Sequence, residues 1–88
     1  MQTKISDIQI VRIKASDGLI GFVSFILDDN FYLGGIGIYT RPTGGLRLTY
    51  PTKKHPAGCI NVYYPINKII ADYIEQAVTE KFRQIISS

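Results

Sequence analysis

Apolar residues recur with a period near two through the first two thirds of the chain and at three- and four-residue spacing after it. Ile8-Gln9-Ile10-Val11-Arg12-Ile13 alternates, and a change of phase at Ile10-Val11 predicts a β-bulge there. Ser16-Asp17-Gly18 carries the Asp-Gly hairpin signal. Leu19 to Leu27 is apolar on both faces, the mark of a strand covered on two sides. Asp28-Asp29-Asn30 forms a second turn, and Phe31 to Tyr39 returns as a third strand, where Gly34, Gly35 and Gly37 predict a bend or bulge. Leu46 to Tyr50 alternates strictly and Pro51 ends it. Thr52 to Gly58 reads as a basic loop, and Cys59 to Tyr64 as a fifth strand with Ile60, Val62 and Tyr64 on one side.

From Asn67, a good N-cap, the spacing predicts a helix to about Ile86. Ile70, Tyr73, Ile74, Ala77, Val78, Phe82 and Ile85 form its apolar stripe. Lys68, Asp72, Glu75, Glu80, Lys81 and Arg83 form an opposite face of zero net charge. The expected fold is α+β: one domain over residues 1–88, a small antiparallel or mixed five-stranded sheet, then one C-terminal amphipathic helix. One helix covers one face of such a sheet, whereas the second strand asks for cover on both. A chain of 88 residues also buries only a modest core. Together these predict a homodimer.

Charge sharpens the picture. The net charge is only +3, but residues 30–71 hold five bases (Arg41, Arg47, Lys53, Lys54 and Lys68) and no acid. The remainder holds five bases and seven acids. Such segregation attracts polyanions. Cys59 is the single cysteine, which excludes an intrachain disulfide and fits a reducing, cytoplasmic setting. Neither a signal-peptide core nor an apolar run long enough for a membrane span is visible.

Tyr50-Pro51-Thr52-Lys53-Lys54-His55-Pro56-Ala57-Gly58, followed by Tyr64-Pro65-Ile66-Asn67, resembles the SpoVG family of stage V sporulation protein G, the septation regulators. The opening Ile5-Ser6-Asp7-Ile8-Gln9-Ile10 and the strand closing on Leu27-Asp28 are also similar, so the likeness runs through nearly the whole chain. It implies the SpoVG-like fold, and a dimeric bacterial protein that binds DNA and RNA and modulates gene expression and division. Two positions depart from the family pattern. Ala57 stands where an Asp is usual, and Lys68-Ile69-Ile70-Ala71-Asp72 replaces a stretch of small hydroxylated residues and an Arg.

The candidate nucleic-acid-binding residues are Arg47, Lys53, Lys54, His55, Tyr63 and Lys68. Lysines suit phosphate oxygens, and Pro51 and Pro56 stiffen the segment that holds the pair outward. Tyr50 and Tyr64 fall on apolar phases and read as core, while Tyr63 falls on the polar phase and could stack a base. The helix does not read as a groove reader, because its outward carboxylates would repel phosphates. Enzymatic readings fail: His55 and Cys59 lack an orienting third group, Asp28-Asp29 is turn chemistry, and Gly34-Gly35-Ile36-Gly37 lacks a strand–helix context. One Cys and one His do not make a metal site. The expectation is a non-enzymatic regulator with no cofactor or small-molecule substrate. The other reading is a protein-interaction module using strand edges and the basic loop.

Overall fold

The computed structural model describes residues 3–87. Four strands, β1 (Ile5–Ser16), β2 (Leu19–Leu27), β3 (Phe31–Thr40) and β4 (Leu46–Thr49), form an antiparallel meander in chain order. A separate two-stranded hairpin, β5 (Thr52–His55) with β6 (Gly58–Asn61), follows, and then α1 (Lys68–Ser87). The class is α+β, as the periodicity predicts. The five-stranded count is corrected to four strands plus two. The segment read as a basic loop is itself a strand: Thr52-Lys53-Lys54-His55 has no apolar alternation to betray it, and it is held only by pairing with β6.

The turns form where the sequence places them. Asp17 and Gly18 both adopt positive φ, as do Asp28 and Asp29, which is the geometry of tight two-residue hairpins. Asp28 also bonds both ways with Lys4: its backbone N–H donates to the Lys4 carbonyl at 2.8 Å, and its Oδ1 accepts from the Lys4 N–H at 2.7 Å. The predicted bulge in β1 lies earlier than the phase change placed it. Ile10 pairs with Val23 and Val11 with Phe22 without a break, and the register shifts between Ser6 and Gln9, where Asp7 takes a φ of 50°. The extra residue puts Ile5, Ile8 and Ile10 on the core face despite their mixed parity. Val11, left on the far face, is 63% exposed. In β3 the bulge falls at the glycines, as expected. Val23 pairs with Ile36 and Phe25 with Leu33, so β3 carries one extra residue, and Gly35 absorbs it at a φ of +72°.

The core is the seam between one sheet face and α1. Val23, Phe25, Ile36 and Ile38 of β2 and β3 meet Ile74 and Val78, all fully or almost fully buried. Ile70 and Phe82 flank them at four-residue spacing. Asn67 caps the helix, its Oδ1 accepting from the backbone N–H of Ile69 at 2.8 Å and of Ile70 at 3.4 Å. Arg41, in the β3–β4 loop, ties that loop to the helix. Its Nη2 reaches both Glu75 carboxylate oxygens at 3.0 and 3.1 Å, while its Nε donates to the Leu46 carbonyl.

The far face of the sheet has no such cover. Phe22, on the same strand as the buried Val23 and Phe25, stays 41% exposed there. No helix among the described residues is long and apolar enough to cross a membrane. Because Phe25 is completely buried where β2 meets the helix, Phe25→Ala should lower unfolding free energy by about 3–5 kcal/mol. Urea titration checks this: the midpoint should fall while the m-value stays put.

Candidate nucleic-acid interface

The basic segment Lys53-Lys54-His55 lies on a projecting arm. β5 and β6 pack on each other and touch little else, and every residue from Thr52 to Asn61 is exposed. The Val62 N–H, donating to the Pro51 carbonyl at 2.8 Å, closes the root of the arm. At the tip, the Ala57 N–H donates to His55 Nδ1 at 3.2 Å, so His55 spends one ring nitrogen on the turn itself.

Strand pairing separates the two lysines. Lys53 pairs with Ile60 and Lys54 with Cys59, and successive residues of a strand point to opposite faces. Thr52, Lys54, Cys59 and Asn61 therefore share a polar face, and Lys53 lies beside Ile60 on the other. No ion pair among the described residues engages either lysine. Their charges are open to solvent.

The remaining bases are engaged. Lys68 Nζ lies 2.8 Å from Asp72 Oδ2, one helical turn away. Hydrogen bonding to Asp72, reinforced by that carboxylate's charge, raises the Lys68 pKa. Lys68 keeps its proton but shares its field with the acid. Arg47 lies 5.1 Å from the centre of the Tyr39 ring, held against it as a cation–π pair. Arg41 is committed to Glu75. Of the five bases in the acid-free interval, two stand clear of any partner, and both are on the arm.

The two tyrosines exchange places relative to the strand phase. β6 ends at Asn61, so the alternation that put Tyr63 outward does not extend to it. Tyr63 turns inward, its hydroxyl donating to the Gly34 carbonyl and its ring meeting Tyr50 edge-on at 6.0 Å and 72°. It is not presented for base stacking. Tyr64, read as core, is exposed instead. Desolvation raises the Tyr63 pKa, with Tyr32 adding to it. Desolvation, then Tyr63 and Glu75, pushes Tyr50 up to about 12.

The SpoVG family model matches residues 3–84. The chain belongs to the SpoVG family. Two curated relatives, each bearing the name "Putative septation protein SpoVG", come from Caldicellulosiruptor saccharolyticus and Caldicellulosiruptor bescii. Each is 29% identical over 86 residues, which is 97% of this chain and 97% of the relative. The SpoVG match therefore takes in the sheet, the arm and nearly all of the helix. The sequence reading puts Ile60, Val62 and Tyr64 on one side; Ile66 follows at the same spacing, a continuation that reading does not draw, and all four are exposed.

Two measurements check the tyrosines. Tyr63→Phe removes the bond to Gly34 and should cost about 1 kcal/mol of stability in urea. Tyr50 ionises near 10 when unfolded and near 12 when folded, so its contribution is complete below pH 10 and is lost as pH climbs through about 12. Tyr50→Phe should flatten that alkaline loss, read as urea midpoint against pH.

Proposed function

We propose that this SpoVG-family chain is a non-enzymatic, homodimeric regulator of the septation type that binds DNA or RNA through the β5–β6 arm. The observation carrying this reading is the pair of unpartnered lysines, Lys53 and Lys54, on a fully exposed arm inside an acid-free stretch of 42 residues, 30–71. The name of the two relatives supports the septation role. The exposed apolar positions, more than one helix covers, support a second copy.

Lysines on a short two-stranded arm meet phosphate oxygens as point charges, so binding is non-specific in sequence and steep in salt. Lys54, on the polar face with Thr52 and Asn61, is the leading phosphate contact, with Lys53 contributing from the other face. Arg47 adds a positive group from β4, five residues before the start of β5, while remaining stacked on Tyr39. His55 shapes the tip. Lys68, neutralised by Asp72, contributes little.

Fluorescence anisotropy of short DNA and RNA probes at several salt concentrations tests the reading. Lys53→Ala with Lys54→Ala should weaken binding to every probe and flatten the log–log salt slope by roughly 0.7–0.9 per lost phosphate contact. Lys68→Ala should leave the slope nearly unchanged. An unaltered slope in the double variant, with circular dichroism showing the fold intact, removes the arm from the function.

A further inference from the structure

We infer that the second copy does not cover the open sheet face, but instead seats on the apolar stripe that runs from the arm into the first turns of α1, so that the two basic arms meet in one seam. This rests on the homodimer reading above and names the surface that makes it.

The stripe is Ile60 near the end of β6, Val62, Tyr64 and Ile66 at every second position after it, and Ile69 and Tyr73 one helical turn apart. Every one is at least 40% exposed, with Ile66 at 90% and Ile69 at 77%. Six side chains of this size, at these exposures, offer roughly 700 Å² of largely apolar surface, close to the ~800 Å² that each partner of a stable pair buries. Beside them opens an apolar groove of about 320 Å³, to whose wall Tyr64 itself contributes together with Phe31 and Pro65. Knobs and a hole on one surface suit a self-complementary two-fold contact.

Charge points the same way. The only ionic groups within the helical part of the stripe, Lys68 and Asp72, cancel each other at 2.8 Å. Two copies can oppose this helical part without like-charge repulsion, and the one unpaired cation on the stripe's arm end is Lys53, beside Ile60.

The open sheet face is the poorer candidate. Its exposed apolar residues are Val11, Phe22 and Tyr32, and the Gln9–Ser24 pair separates the Val11–Phe22 row from the row holding Tyr32. Its other edge carries Arg47.

The arm supplies the independent reason. An isolated two-stranded hairpin is marginal in water, and this one has no cover of its own. Its Ile60 is at once part of the stripe and the cross-strand neighbour of Lys53. A partner that covers Ile60 therefore steadies the arm and leaves the face with Thr52, Lys54 and Asn61 outward. Two such faces then lie side by side, and neither copy has the full phosphate-binding surface alone.

The test uses the full chain and its single cysteine. Ile66→Asp with Ile69→Asp, two exposed positions, should weaken self-association by about 100-fold in analytical ultracentrifugation, and Val11→Asp should leave it unchanged. A nitroxide on the exposed Cys59 should show a spin–spin separation within the 37 Å width of one molecule. The monomeric variant should keep binding nucleic acid, with the salt slope cut by half. A dimer that survives the Ile66/Ile69 change but is broken by Val11→Asp, or that holds the labels farther apart than 37 Å, overturns this seam and leaves the homodimer reading standing. A wild-type chain that stays monomeric at 100-micromolar order, where contacts of this size normally associate, overturns both.

Discussion

A four-stranded meander has two faces, and a single helix has one apolar stripe to offer. Here Ile74 and Val78 press onto Val23, Phe25, Ile36 and Ile38, and that contact accounts for every fully buried apolar side chain in the described residues. The remaining features are arranged around it. The bulge at Asp7 turns Ile5 and Ile8 toward the same seam, Gly35 lets β3 do likewise, and Arg41 pins the β3–β4 loop to Glu75 on the helix. Everything that does not reach the seam remains at the surface, including the whole of β5 and β6.

The electrostatics follow from the same arrangement. Bases near the helix find acids on it: Arg41 meets Glu75 and Lys68 meets Asp72. On the arm, no ion pair among the described residues engages Lys53 or Lys54. A stretch of five bases thus narrows to two that are free. Pairing between β5 and β6 then assigns one to each face of the arm, Lys54 to the polar one.

Exposed apolar side chains concentrate where the arm runs into the helix. Alternation at Ile60, Val62, Tyr64 and Ile66 is the pattern of a strand with one buried face, yet in a single chain nothing buries it. In this SpoVG-family chain the exposed Ile60 and Lys53 share one face of the hairpin, and Lys54 lies on the other.

Local chemistry determined much of this without any tertiary information. The Asp-Gly and Asp-Asp turns, the glycine bulge in β3, the Asn67 cap and the helix stripe all depend on neighbours within a few residues, and all are in place except that Tyr73, read into the stripe, is exposed. The likeness to SpoVG, carried by Pro51-Thr52-Lys53-Lys54 and Pro65-Ile66-Asn67, was also legible. What the folded chain alone decided was partnership across distance. Thr52 to His55 became a strand because β6 lies beside it, Tyr63 turned inward because the Gly34 carbonyl was there to accept its hydroxyl, and Lys68 and Arg41 paired with carboxylates on α1. Periodicity reports which side of an element is apolar; it cannot report which distant group stands opposite, and that is what sets a hydrogen bond or an ion pair.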